Sequence, residues 1–296
     1  MNNLKVGLLG GGSWGTTVAA LVTRNAPVTL WARNVDTVRE INERHSNETY
    51  LPGARLPERL RATSDIGEAV ASADVVVMGI PSQNFRSVLE EVRAHIRPWV
   101  PVISLSKGLE LDTRMRMTEI IAQVLPGHPV GVLTGPNLAR EIMAGQAAAS
   151  VIAMEDAIIV RELQSLFSSG LFRVYTNTDV VGCELGGVLK NIIAIAVGMG
   201  DGLGAGDNTR ASLITRGLAE MSRLGAAMGC QPETFAGLAG MGDMIATCTS
   251  PQSRNRHVGI ELGKGRSLAD ISAEMFMVAE GAKSAPAVMA LAKQYG

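Results

Sequence analysis

The chain has 296 residues, of which 46% are hydrophobic, 19% charged and 4% aromatic, with a formal net charge of -1. That balance excludes a disordered chain and argues against a basic surface for nucleic acid or anionic membrane. Glycine is the outlier at 33 residues, about 11% against roughly 7% in an average protein, and with no three-residue period it excludes a collagen-like fibre.

The N-terminal segment turns glycine-rich too soon for a signal peptide. The first half then alternates strand and helix patterns: strand at 6–9, helix at 14–24, strand at 28–31, helix at 36–44. A continuous apolar run follows at 74–80, then an amphipathic helix at 82–96 and further buried strands at 102–105 and 130–133. Short strands are expected at 150–153 and 173–175. This alternation predicts right-handed crossovers, hence an α/β Rossmann-type N-terminal domain with a doubly wound, mostly parallel sheet over residues 1–177. From 178 to 296 long helical patterns dominate, at 179–199, 209–228 and more weakly from 267, predicting an all-α C-terminal domain.

Leu185–Met199 is the most apolar stretch, but Lys190 and Asn191 interrupt it, short of the roughly 20 apolar residues of a membrane span. Gly198–Gly206 carries five glycines in nine positions, so the helix is expected to stop there, with Asp207 or Asn208 capping the next. Cys183, Cys230 and Cys248 lie far apart, as reduced intracellular thiols would, and His45, His95, His128 and His257 show no ligand spacing, so no metal is expected.

The sharpest local motif is Gly10-Gly11-Gly12-Ser13-Trp14-Gly15, which fits G-x-G-x-x-G between a strand and a helix. Gly10 permits the tight turn, Gly12 lets backbone approach a pyrophosphate, and Gly15 lets the helix pack close to the strand. The diphosphate would meet free N–H groups at the helix N-terminus. Strand 2 ends in Ala32-Arg33-Asn34 with no acid before Asp36. Arg33 therefore reads either as a fork for a 2′-phosphate, favouring NADP(H) over a still possible NAD(H), or as a solvated surface arginine.

Two lysines keep unusual company. Lys107 lies just past the C-terminal end of a buried strand, where open α/β sheets bind ligands. Lys190 lies inside the most apolar helix. Buried there, its pKa would fall toward the working pH, as suits a general acid or base; alternatively it snorkels to the surface. Asp243, after Gly240-Met241-Gly242, is a carboxylate that could orient Lys190. The Ser250–His257 stretch offers Arg254 and Asn255 as a phosphate clamp, or else as an exposed helix start.

Together these segments resemble the bacterial-type NAD(P)-dependent glycerol-3-phosphate dehydrogenases over essentially the whole chain. The matching pieces are 10–16, Ser-Lys-Gly at 106–108, Gly-Pro-Asn-Leu-Ala at 135–139, Glu-Leu-Gly-Gly-Val-Leu-Lys-Asn at 184–191, 200–209, Gly-Met-Gly-Asp at 240–243 and Ser-Arg-Asn at 253–255. The resemblance implies a Rossmann-type domain followed by a helical domain like that of 6-phosphogluconate dehydrogenase. It implies reversible reduction of dihydroxyacetone phosphate to sn-glycerol 3-phosphate for phospholipid synthesis, by a cytoplasmic homodimer. Lys190 would be the proton donor and acceptor, with Lys107, Asp243 and Asn191 at the reacting oxygens. Gly135, Asn137, Thr247, Ser253, Arg254 and Asn255 would contact substrate, and Ser13, Trp14, Arg33, Lys107, Ala139, Arg254, Val278 and Glu280 the cofactor. Asn137 stands where many members carry Ser or Thr. Members also continue past the position of Gly296, so the second domain is expected to lack its last helices. Two rivals share parts of this pattern: another two-domain dehydrogenase with a lysine-asparagine helix, and a non-catalytic NADP sensor. The Ser-Arg-Asn and Gly-Met-Gly-Asp segments weigh against the first, and the lysine pair with a phosphate clamp against the second.

Overall fold

The computed structural model describes residues 4–275 and 279–295. The chain divides into two compact units. The first comprises Met1–Ser106, Met117–Leu133 and Asn137–Val180; the second comprises Lys107–Arg116, Thr134–Pro136 and Val181–Gly296. The expected boundary near Asn177 lies close to the last of these crossings. It does not anticipate that two short segments of the first half join the helical unit.

The first unit holds, among the described residues, an eight-stranded sheet in the order β3-β2-β1-β4-β5-β6-β7-β8. The strands are β1 Val6–Leu9, β2 Val28–Trp31, β3 Arg61–Thr63, β4 Val75–Met78, β5 Val102–Ser104, β6 Val130–Thr134, β7 Ala148–Met154 and β8 Phe172–Asn177. β1 pairs in parallel with β2 and β4, β4 with β5, β5 with β6, and β7 with β8. β1 and β4 are buried along their whole length, as the unbroken Val and Met run of β4 and the Val, Gly and Leu residues of β1 suit in a sheet covered on both faces. The strand order reverses direction between β1 and β4, and at such a switch point open α/β sheets bind ligands beyond their strand ends. Capping closes several of the flanking helices: Asn34, Asp65 and Asp156 each accept hydrogen bonds from backbone N–H groups two or three residues on.

β3 has only three residues and no alternating run, so nothing in the sequence marked it. The amphipathic pattern at 82–96 is helical only over Phe85–Val92, preceded by a single 3₁₀ turn at Ser82–Asn84.

The second unit is helical, built on Val180–Gly202 and Asp207–Ala227. Leu185, Val188, Leu189, Ala194 and Val197 of the first helix bury against Met221, Phe235, Met244 and Leu291. Val180–Gly202 is long and apolar enough to cross a membrane, but 72% of its apolar window is buried inside the protein. The helix passes that length-and-composition test, unlike the Leu185–Met199 run expected from the sequence, because it extends at both ends of that run.

Contrary to expectation, the helix runs through Gly198 and Gly200 to Gly202. The physical reason is close helix contact. A Cβ on Gly198 would sit 2.2 Å from the Arg256 carbonyl oxygen, and one on Gly202 would sit 2.2 Å from that of Ile260. Both glycines face the helix Arg254–Gly263, which answers with Gly259 and Gly263. Tight packing here replaces the helix propensity that glycine lacks. The next helix begins at Asp207 with Gly206 as its N-cap, so neither Asp207 nor Asn208 occupies the capping position.

Gly259→Ala should therefore be costly, since its Cβ would meet the Ile195 carbonyl oxygen at 2.1 Å. Chemical denaturation should show a loss of about 1–3 kcal/mol, and an unchanged unfolding midpoint would contradict this packing.

Candidate active site

Three segments of the helical unit bring one carboxylate and two amines together. Lys190 projects from the helix Val180–Gly202, in the turn after Gly186 and Gly187. Those two glycines have different jobs. A Cβ on Gly186 would lie 2.4 Å from the Ala239 carbonyl oxygen, so its absence admits the Leu238–Gly242 turn. A Cβ on Gly187 would lie 3.3 Å from Cγ of Lys107, so its absence makes room for that side chain.

Leu238–Gly242 is a single π-helical turn, closed by the Gly242 N–H donating to the Gly237 carbonyl at 3.1 Å. Such turns recur at functional sites because they shift the following residue out of helical register. The residue that follows is Asp243, which opens the helix Asp243–Thr249.

Asp243 is 2% exposed and shared by both lysines. Lys107 Nζ donates to its Oδ2 at 2.6 Å and to the Gly135 carbonyl at 2.9 Å. Lys190 Nζ lies 2.8 Å from its Oδ1 and donates to Thr247 Oγ1 at 2.5 Å. Thr247 in turn donates to the Asp243 backbone carbonyl at 2.7 Å. An ammonium has three donors. Among the described residues each lysine thus places two, leaving one for a further acceptor.

Lys190 is buried, so the snorkelling alternative is set aside. Burial pulls its pKa down from 10.5 to about 8, helped by the positive charge of Lys107 and opposed by Asp243. The unfolded chain holds this proton more tightly between those two values. The stability lost to burying the charge is therefore full below about pH 8 and recovers as pH rises toward 10.5. Neighbouring Cys248 is also buried, which pushes its thiol up to about 12 and keeps it protonated.

The remaining predicted residues divide by location. Asn191 Oδ1 accepts from Asn255 Nδ2 at 3.0 Å, and Asn255 Oδ1 accepts from the Gly281 N–H at 2.9 Å. This relay ties three helices together and leaves Asn255 one N–H for another acceptor. Ser253 caps the helix Arg254–Gly263, its side chain accepting from the Arg256 N–H. The predicted clamp and the predicted helix start are therefore the same place. Arg254 opens that helix; the protein packed around its guanidinium lowers its pKa and Glu280 opposes the shift. Gly135 is buried and supplies the carbonyl held by Lys107.

In the sheet unit, Asn137 donates to Ser150 Oγ at 3.2 Å, and Ala139 begins the helix Ala139–Met143. Val278 lies outside the described residues.

The glycine loop follows β1 in the same unit. Gly10 has φ +121°, and a Cβ there would sit 2.3 Å from the Gly79 carbonyl oxygen. Gly15 is equally confined, 2.1 Å from the Gly10 carbonyl oxygen. Gly12 differs: a Cβ there would meet nothing within 4 Å. Ser13 and Trp14 open the helix Ser13–Val22. The Trp14 ring stacks edge-on to Phe172, and its buried Nε1–H has no partner among the described residues. Arg33 is exposed just beyond β2. Open space over Gly12 at an uncapped helix N-terminus fits a dinucleotide diphosphate.

Two features escaped the sequence reading. Arg116 and Glu184 form a nearly buried ion pair at 2.7 Å that fastens the Lys107–Arg116 segment to the lysine helix. Asn47, fully buried, bonds the glycine loop. Neither carries a local signal, since their partners are 68 and 36 residues away.

Comparison with known proteins places these features in a family. The family model for the N-terminus of NAD-dependent glycerol-3-phosphate dehydrogenase matches residues 5–159, and that for its C-terminus matches residues 179–296. A glycerol-3-phosphate dehydrogenase of the NAD(P)+ type from Sphingopyxis alaskensis is 76% identical over 293 residues, covering 99% of this chain and 88% of that protein. One from Mycobacterium avium is 55% identical over 297 residues, covering 100% and 87%. The crystal structure of a glycerol-3-phosphate dehydrogenase from Coxiella burnetii superposes with a TM-score of 0.93 at 37% identity, covering 99% of this chain and 90% of that one.

The carboxylate between the lysines makes a direct prediction. Asp243 opposes the fall in the Lys190 pKa, so Asp243→Asn should move the Lys190 midpoint further below about 8. NMR titration of isotopically labelled lysine side chains reads this, and a midpoint that stays put or rises would contradict the assignment.

Proposed function

This chain belongs to the NAD-dependent glycerol-3-phosphate dehydrogenase family, and from that premise we propose roles for its residues in the reaction. The reaction is the reversible NAD(P)-dependent reduction of dihydroxyacetone phosphate to sn-glycerol 3-phosphate. The single observation that carries the assignment of roles is the Asp243 carboxylate shared by Lys190 and Lys107.

When bound, the dinucleotide supplies the hydride chemistry at its nicotinamide. Gly10, Gly12, Ser13, Trp14 and Gly15 hold its diphosphate end, as the open space over Gly12 supports. Arg33, exposed where strand 2 ends without an acid, favours NADP(H) over NAD(H).

The protein's own work is proton transfer and charge placement. Negative charge builds on the carbonyl oxygen of dihydroxyacetone phosphate as it is reduced. Lys190 Nζ delivers its proton to that oxygen, and in the reverse direction takes it back. Its pKa of about 8 keeps both protonation states within reach near neutral pH. Lys107, ion-paired with Asp243, stands beside the same oxygen and stabilises the developing charge before the proton arrives. Asp243 holds both amines in position, and its single negative charge leaves the trio at a net +1, suited to an anionic substrate. Thr247 fixes the Lys190 amine from the other side.

Arg254 and the remaining Asn255 N–H anchor the phosphate, remote from the reacting carbon, so that binding energy serves orientation. Ser253, Gly135, Asn137 and Asn191 complete the substrate contacts, with Ala139, Val278 and Glu280 on the cofactor side. Support for this wider set, for a cytoplasmic homodimer and for a role in supplying phospholipid synthesis comes from the family resemblance.

Loss of NADPH absorbance on adding dihydroxyacetone phosphate tests the reading. Lys190→Ala should lower turnover by about 10²–10⁴-fold while NADPH affinity stays within about twofold; unchanged turnover would sink the assignment. Arg254→Ala should raise the KM for dihydroxyacetone phosphate about tenfold or more with a smaller effect on kcat, and an unaltered KM would count against the phosphate role.

A further inference from the structure

The glycine loop has no side chains with which to fix its own peptide planes, so something else must. Asn47 lies 36 residues beyond Gly11, in the turn after the helix Val35–Arg44, and is 0% exposed. Its Nδ2 donates to the Gly11 carbonyl at 2.9 Å and to Thr16 Oγ1 at 2.9 Å. The Gly11 carbonyl can only accept, so this orientation of the amide is set by its partner: turned over, Oδ1 would oppose that carbonyl. The turn is itself closed by the Tyr50 and Leu51 N–H groups donating to the Asn47 carbonyl at 3.2 and 2.7 Å.

Covalent geometry carries the consequence further. The described residues contain no cis peptide bond, and in a planar trans peptide the C=O and the following N–H point in opposite directions. Holding the Gly11 oxygen therefore holds the Gly12 N–H on the side away from Asn47. Gly12 is the N-cap of the helix Ser13–Val22 and has no side-chain cap, and the space where its Cβ would stand is open. The first N–H groups of a helix have no intrahelical partner and are the ones an anion meets.

We propose that Asn47 is a positioning residue for the cofactor diphosphate, acting through the Gly11–Gly12 peptide. The proposal rests on the dinucleotide reading of the glycine loop. Asn47 touches no ligand atom in this account; it aims a backbone donor that otherwise turns freely, because glycine on both sides of the bond offers little resistance to rotation.

The experiment is a fluorescence titration of the intact protein with NADPH, with adenosine 2′-monophosphate as the probe that lacks the diphosphate. Asn47→Asp is nearly isosteric but removes both donors. It should weaken NADPH about tenfold or more and leave adenosine 2′-monophosphate within about twofold. Thr16→Val removes only the second bond and should leave NADPH within about threefold. Three results would overturn the proposal: unchanged NADPH affinity in Asn47→Asp, equal losses for both probes, or an equal loss in Thr16→Val. If the unaltered protein binds neither NADPH nor NADH, the dinucleotide reading fails with it. Should Asn47→Asp not fold, unaltered protein labelled with 15N-glycine and 15N-asparagine decides. The Gly12 amide and the Asn47 side-chain amide should shift together on saturation with NADPH, and a Gly12 resonance that does not move would overturn the proposal.

Discussion

A buried carboxylate held between two ammonium groups is the constraint around which the helical unit is arranged. Asp243 alone in that environment would be severely penalised, and so would Lys190 alone. Together with Lys107 they leave one net positive charge, desolvated at Lys190 and more open to solvent at Lys107. Breaking such a pair by removing one partner strands the other, so each of the three depends on the other two. The same arrangement fixes the chemistry. Burial and Lys107 push the Lys190 proton off, Asp243 holds it on, and the balance falls near pH 8.

Bringing those groups within hydrogen-bond distance demands backbones closer than ordinary side chains allow. Gly186 admits the π turn that carries Asp243, and Gly187 admits the stem of Lys107. Further along the same helix, Gly198 and Gly202 admit the helix that begins with Arg254. Interiors are close-packed and respond to a single methyl group. Part of the high glycine content is thus the geometric requirement of one helix that must be approached on several sides. The buried Arg116–Glu184 pair secures another of those approaches, holding the Lys107–Arg116 segment against the helix.

How much of this was legible follows from the range of each interaction. Strands β1, β2, β4, β5 and β6 announced themselves because fully buried parallel strands need unbroken apolar runs, and the glycine loop because its spacing is local. The core position of Lys190 was open on sequence grounds, since burial of a lysine depends on a carboxylate 53 positions away. β3 was invisible because three residues make no pattern. The continuation of the lysine helix through Gly198–Gly202 was misread because propensity describes a helix alone, whereas here a partner helix occupies the space a Cβ would need. Asn47 and Arg116–Glu184 were silent for a related reason: an asparagine in a polar turn, or an arginine before a helix, looks the same whether its partner is water or a distant backbone carbonyl.

The two helix starts assigned to anions in the proposed function differ in how they are capped. The helix Arg254–Gly263 has Ser253 as a side-chain cap accepting from the Arg256 N–H, so its backbone donors are partly spent and the proposed anion contact there falls to a charged side chain, Arg254. The helix Ser13–Val22 has no side-chain cap at Gly12, so its backbone donors remain for the anion itself. A capping serine or aspartate at Gly12 would compete for those donors and fill the space above them. The loop must therefore stay bare, and a bare glycine loop cannot hold its own shape. Support has to come from the face turned away from the ligand. The Asn47 amide bonding the Gly11 carbonyl from a fully buried position supplies it without using any donor the diphosphate needs.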